Sequence, residues 1–304
     1  MKTAPRVSIG MPIYNGEETI AASIESLLAQ SLGDFELIVS DNASTDQSVA
    51  IVQRYQQQDS RIRLIRQAHN VGANGNFSAV VDAATGEYFK WTTCSDLCSP
   101  NFLQACVDVL DQRPDVVLAA PQTLLFEADP DVHKVYDGDI EVQDSSPARR
   151  FVQLIQRLQL NNAMNGVIRT QALRYKRPII DHFLKADIVM VSCLALQGGF
   201  ALVPQALFLR RMDPKTATSL MSPEDDIKHH YPVMSWKALF PTWRLFWGWR
   251  QAVWQTPVPN QDKTEACRYL RKMCVWEWKE FVRDLVSGLA YFLKLRWLNT
   301  GRRA

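Results

Sequence analysis

Through the first ~120 residues short apolar runs alternate with helical patterns, and each run stops at a cluster of polar residues, the mark of parallel βαβ units. Val7-Ser8-Ile9-Gly10-Met11 reads as a strand. Glu17 to Gln30 reads as a helix with Ile20, Ile24, Leu27 and Leu28 on one face. Phe35 to Val39, Ile62 to Ile65, Tyr88 to Trp91 and Val116 to Ala119 read as further strands, with helices between them from Asp46 to Gln57, up to Ala84 and from Pro100. The expected fold class is α/β: an open, mostly parallel, Rossmann-like sheet flanked by helices. In such a sheet a ligand binds at the carboxyl ends of the strands. Here those ends carry Pro12-Ile13-Tyr14-Asn15-Gly16-Glu17, Ser40-Asp41-Asn42-Ala43-Ser44-Thr45-Asp46 and Cys94-Ser95-Asp96.

Composition narrows the function classes. The chain has 304 residues and a formal net charge of +2, from 34 Lys+Arg against 32 Asp+Glu. So near a balance argues against a nucleic-acid partner, which calls for a strong basic excess. The six cysteines form no C-x-x-C pair, so zinc-ribbon and thioredoxin-type sites are excluded. Their sparseness suits a reducing compartment. The first strand is followed by no G-x-G-x-x-G, and no G-x-x-x-x-G-K-[ST] is present, which disfavours nicotinamide enzymes and P-loop NTPases. No apolar run approaches the ~18 residues of a membrane span, and no signal-peptide core is seen near Met1. The expectation is a cytoplasmic chain that at most rests on a membrane surface.

The middle, Glu127 to Ser146, reads as an acidic loop with a hairpin. Phe151 to Leu160 and Asp187 to Leu196 read as helices, and Phe200 to Val203 and Ala206 to Leu209 as strands. Composition shifts after Arg210: eight of the nine tryptophans lie between Trp236 and Trp297. The division expected is residues 1–220 as one domain and 221–304 as a helical extension. The last segment reads as one long helix with Cys267, Leu270, Cys274, Trp278, Phe281, Leu285, Leu289 and Phe292 on one face. That face packs on the main domain, makes a homodimer interface, or lies on a membrane. From Thr264 to Ala304 nine Lys/Arg stand against four Asp/Glu, a balance of 9 − 4 = +5.

The run Val-Ser-Ile-Gly-Met-Pro-Ile-Tyr-Asn-Gly-Glu, then Ser-Asp-Asn-Ala-Ser-Thr-Asp, then Asn70-x-Gly72 and Ala-Thr-Gly-Glu-Tyr resemble, in this order and spacing, family 2 glycosyltransferases of the GT-A fold. The resemblance spans Val7 to Ala120. It continues more loosely to Ser219 through Ala186-Asp187, Leu194 to Gly199 and Val203-Pro204 to Arg211. It implies a nucleotide-sugar donor, usually carrying UDP, a hydroxyl acceptor on a glycan, glycolipid or glycoprotein, and a divalent cation, Mn²⁺ or Mg²⁺. It also implies that Asp41 accepts the imide N–H of the base, with capping of the following helix as its alternative. Asp46 is assigned to capping. Pro12 and Tyr14 would line the base and ribose, Asn70 would belong to the nucleotide site, and Glu17 would contact the ribose or complement a helix N-terminus.

The family's Asp-x-Asp is replaced here by Cys94-Ser95-Asp96. Asp96 is then the metal carboxylate, Ser95 a ribose contact, and Asp213 a substitute metal ligand. Arg211 would clamp the diphosphate. Asp187 stands where the family keeps its catalytic base, with Asp181 and His182 as nearby substitutes and helix capping as its alternative. The processive relatives' Gln-x-x-Arg-Trp and membrane helices are missing, so one sugar is expected per encounter. The rival readings are a catalytically silent nucleotide-binding protein, motivated by the altered metal motif, and a nucleotidyltransferase, whose glycine-rich opening is absent.

Overall fold

The computed structural model describes residues 4–174, 184–213, 227, 230–231 and 239–300, with the side chains of 290–291 and 293–300 excepted. Nine strands form one sheet in the order β3-β2-β1-β4-β8-β6-β9-β5, with β7 paired to β6 outside that path. The strands are β1 (Val7–Ile13), β2 (Phe35–Asp41), β3 (Ile62–Arg66), β4 (Tyr88–Trp91), β5 (Leu97–Cys98), β6 (Val116–Phe126), β7 (His133–Val135), β8 (Val167–Arg169) and β9 (Gly199–Arg211). β1 pairs in parallel with β2 and β4, and β2 with β3. Their carboxyl ends therefore open on the same edge, which is how three loops distant in sequence become neighbours. All of β1 is buried, because helices cover both faces of this half.

Helices α1 (Ile20–Leu28), α2 (Ser48–Gln58), α3 (Gly72–Ala83) and α4 (Phe102–Gln112) alternate with these strands. α1 turns Ile20, Ile24 and Leu27 onto β1 and β2, one face of a 3.6-residue period. α5 (Pro147–Arg157) starts earlier than Phe151. Ser146 accepts the Arg149 N–H as its cap, and Pro147 fills a first-turn position that needs no donor. α6 (Thr170–Arg174) and α7 (Ala186–Gln197) follow.

The second half of the sheet differs from the sequence reading in three ways. β6 runs on past Ala119 to Phe126, because β9 pairs with it along its whole length. The two pieces expected at 200–203 and 206–209 form one strand through Pro204, which falls at a register irregularity where no ladder N–H is needed. β5, unforeseen in the sequence, pairs antiparallel with β9 and brings Leu97 beside Leu209.

The last segment, expected as one long helix, is two, α9 (Asn260–Trp276) and α10 (Trp278–Thr300), with a break at Glu277, and α8 (Pro241–Gln255) precedes them. Trp249, Ala252 and Val253 of α8 and Ala266 and Leu270 of α9 share a core with Ala148 and Phe151 of α5 and Val189, Cys193 and Leu196 of α7. The expected single face therefore splits. Leu270 and Phe281 are buried, while Trp278, Leu285, Leu289 and Phe292 stay exposed.

Candidate active site

The loops after β1 and β2 are laced together by reciprocal bonds. Asn15 Oδ1 accepts the Thr45 N–H at 2.9 Å, and Asn15 N–H donates to Ser44 Oγ at 3.0 Å. Gly16 N–H donates to Ser48 Oγ at 2.8 Å, and Glu17 N–H to Asp46 Oδ2 at 3.0 Å. Glu17 Oε2 in turn accepts from Gln47 N at 2.8 Å, so this carboxylate complements the start of α2 and is spent on the lacing. Asp46 also takes the Ser48 N–H at 2.9 Å, as a cap should. Burial alone would raise its carboxyl, but bonds from Ser48 and from the Glu17 backbone outweigh it and hold it below the ordinary value.

Asp41 is the last residue of β2, opposite Ile13 on one side and Arg66 on the other, and is 1% exposed. Its Oδ1 accepts the Ser44 N–H at 3.1 Å, so it shapes the turn at Ala43, whose φ of 61° is left-handed. Pro12 is buried within β1, and Tyr14 stands 46% exposed at its mouth. Asn70 Oδ1 accepts from Asn42 Nδ2 and from the Gly72 N–H, both at 2.9 Å, which joins the loop before α3 to the β2 loop. Asn76 was not foreseen. It is buried, and its Nδ2 donates to the carbonyls of Ile13 at 3.2 Å and Ser40 at 2.9 Å, fastening the ends of β1 and β2 side by side.

The third loop closes on the first at a glycine. A Cβ on Gly16 would lie 2.7 Å from Cys94 Sγ, so only glycine allows this approach. The Cys94 thiol is pushed up to about 11 by burial and by the neighbouring Asp96, and stays protonated. Thr93 Oγ1 lies 3.1 Å from Ser95 Oγ and accepts the Asp96 N–H at 3.2 Å. From α1, Ser23 Oγ donates to the carbonyls of Thr93 at 3.0 Å and Asp96 at 2.9 Å.

Asp96 is 4% exposed, and its Oδ1 accepts the backbone N–H of Arg211 at 2.9 Å, because the pairing of β5 with β9 sets these residues together. Burial raises its carboxyl despite that bond, Thr93, and the charges of Arg210 and Lys90. The Arg211 guanidinium lies 4.8 Å from the Phe126 ring centre and donates to the carbonyl of Glu127 at 2.8 Å. Asp213 follows the end of β9 and is half-buried.

A hard divalent cation wants several oxygen ligands, with carboxylates foremost. This strand end offers one sunken carboxyl already bonded to a backbone N–H, two hydroxyls and a protonated thiol. Among the described residues no three His, Cys, Asp or Glu side chains gather to hold a metal. Asp96, the carboxylate expected to hold Mn²⁺ or Mg²⁺, has Oδ1 on the Arg211 N–H, and Asp213 follows two residues on; a cation held here would draw most of its ligands from a donor's diphosphate and water. Asp96 here ties β9 to the third loop.

Asp187 sits in the first turn of α7, half-buried, after Lys185 in a left-handed conformation. Its Oδ2 accepts from Asn161 Nδ2 at 2.8 Å. The adjacent Asn162 accepts from Arg210 Nη1 at 2.5 Å and donates to Asp139 Oδ1 at 2.9 Å. This asparagine pair fixes Asp187, the end of β9 and the hairpin base as one unit, and the dipeptide gave no periodic or motif signal. The nearby Asp181 and His182 lie outside the described residues.

In an open α/β sheet the carboxyl edge of the strands is the ligand crevice, and here it carries three laced loops and a buried carboxylate. Residues 8–183 match the family model of glycosyl transferase family 2, and the chain belongs to that family. It is 36% identical over 128 residues to the putative glycosyltransferase EpsE of Bacillus subtilis (strain 168), covering 42% of this chain and 46% of that one. To the chondroitin synthase of Escherichia coli it is 30% identical over 138 residues, 45% of this chain and 20% of the synthase. The chain thus spans less than half the length of these curated relatives. Among solved structures, S. aureus TarS 1-349 in complex with UDP-GlcNAc superposes with a TM-score of 0.65 at 15% identity, covering 94% of this chain and 81% of that one. The mannosyltransferase PcManGT from Pyrobaculum calidifontis, in complex with GDP-Man and Mn²⁺, gives 0.57 at 16% identity, covering 99% and 80%. The architecture is the GT-A fold.

Proposed function

We propose that this chain is an inverting glycosyltransferase that moves a single sugar from a nucleotide-sugar, a UDP-sugar by preference, to a hydroxyl acceptor in polysaccharide, glycolipid or glycoprotein assembly. Membership of glycosyl transferase family 2 supports the class, and neighbours bound to UDP-GlcNAc and GDP-Man support the donor type. The observation that carries the reading is the laced strand edge with Asp41 at its floor. Asp41 keeps Oδ2 for the imide N–H of the base, Pro12 and Tyr14 line the base and ribose, and Asn70 holds the loop beside them. Ser95 takes a ribose hydroxyl, and Arg211 faces the diphosphate. Residues 1–220 form the catalytic unit in this reading, and residues 221–304 a helical extension.

Asp187 takes the proton of the acceptor hydroxyl as its oxygen attacks the anomeric carbon. The nucleoside diphosphate leaves from the opposite face, so configuration inverts. Asn161 keeps the carboxylate aimed, and no step is assigned to a metal.

A thermal-shift panel of nucleotides and nucleotide-sugars, with and without Mn²⁺, tests the donor site, because a ligand of the native state raises its melting temperature. A shift from one nucleoside diphosphate series supports the reading, and a flat panel overturns it. The rival reading, a silent nucleotide-binding protein, is favoured by Cys94-Ser95-Asp96 standing in place of the family's Asp-x-Asp and by the engagement of Asp96. Binding without donor hydrolysis or transfer would decide for it.

A further inference from the structure

α10 has two unlike faces. Inward, Phe281 sets its ring edge-on to Trp243 and Phe246, with centroids 4.9 and 5.9 Å apart. One turn on, Asp284 Oδ2 accepts the N–H groups of Thr242 and Trp243 at the start of α8, at 2.9 and 3.3 Å. Outward, Trp278, Val282, Leu285, Val286, Leu289 and Phe292 are between 40% and 63% exposed. Their spacing of i, i+4, i+7, i+8, i+11 and i+14 keeps them on one stripe, about 20 Å long at 1.5 Å per residue. Folding has used the adjoining face that carries Phe281 and Asp284, and nothing within the described residues covers this one. Contiguous exposed apolar surface of this kind marks an interaction site.

The charge around the stripe selects its occupant. Exposed Lys279 and Arg283 border it, and the segment from Thr264 to Ala304 carries nine basic against four acidic residues. Of the four acids, Asp284 is spent internally on the α8 N-terminus, while Glu280 pairs with Arg283 and cancels one charge of that flank. A second copy would bring the same positive charge against itself. No described helix is long and apolar enough to cross a membrane, so the stripe suits lying on a surface.

We propose that α10 docks along an anionic lipid bilayer, its apolar stripe in the headgroup boundary and its basic flank on the lipid charge. Asp284 of α10 is near enough to Lys185, two residues before Asp187, to feel its charge. Provided the transferase reading holds, the acceptor is then membrane-borne, a lipid-linked glycan.

Co-sedimentation of the full chain with vesicles of phosphatidylcholine, with or without a third of phosphatidylglycerol, tests the docking. Anionic vesicles are expected to bind at least about ten-fold tighter than neutral ones, with binding weakened by salt. Leu289→Asp and Val286→Asp, both at exposed positions, should abolish binding. Lys279→Ala should weaken it about five-fold on anionic vesicles alone. Equal or absent binding to the two vesicle types overturns the proposal. So does a lipid-free dimer in analytical ultracentrifugation that Leu289→Asp converts to monomer, because the stripe then belongs to a second copy. The thermal shift of the parent chain across the nucleotide panel separates the readings. Its absence with vesicle binding intact would sink the transferase reading and leave the docking standing.

Discussion

Asp41, Asp96 and Asp187 are three carboxylates with three different duties, and surroundings rather than residue type set them apart. Asp41 has one oxygen on the Ser44 N–H and, in the proposed reading, offers the other to the base. Asp41→Ala should therefore weaken nucleoside diphosphate binding by about 1–3 kcal/mol, roughly ten-fold or more by calorimetry, with a small loss of stability from the turn. Asp187 is held by Asn161 alone among the bonds described above. Asp187→Asn should lower the turnover number by about 10²–10⁴-fold and leave nucleotide affinity unchanged. Loss of both together would assign it a structural duty. Asp96 is bonded to the backbone of Arg211, so calorimetric titration of Mn²⁺ into the nucleotide-free protein should find no site tighter than about 10⁻³ M.

At the level of strands and helices, the lacing between the β1 and β2 loops predicts a pH dependence. The Asp46 carboxyl is held below its ordinary value in the folded state. Its contribution is therefore fully present above the unfolded value near 4 and is lost as pH falls through the lower folded value. Asp46→Ala should cost about 0.5–2 kcal/mol at pH 7, read by urea denaturation, and the difference from the parent chain should shrink below about pH 4. Packing beneath the same edge gives a second handle. A Cβ on Gly10 would lie 2.6 Å from Val80 Cγ2 and 2.7 Å from the Phe89 ring, so Gly10→Ala should destabilise by about 1–3 kcal/mol in thermal melts.

Across the whole molecule, α8 and α9 complete the outer layer over α5 and α7 instead of hanging from it. Trp249 is 6% exposed, and its Nε1 donates to Ser192 Oγ of α7 at 3.0 Å. Trp249→Ala should cost about 3–5 kcal/mol and lower a single cooperative transition, measured by chemical denaturation. A separate low-stability transition confined to the C-terminal helices would contradict that packing.

The strand–helix alternation of the first half and the polar clusters at its strand ends were legible in the order of residues, whereas Asp41, Asn70 and Asp187 became candidates only through the family resemblance. Periodicity and turn chemistry act over a few neighbouring residues, so they survive without a fold around them. Pairings across long stretches of chain were not legible. Asp96 meeting Arg211, Asn161 and Asn162 gathering Asp187 and Arg210, Asn76 bridging two strand ends, and the division of the C-terminal face at Glu277 all depend on which surfaces the packed sheet and helices bring together. No local pattern encodes that choice, because it is made by burying apolar area and satisfying buried polar groups over the entire chain at once.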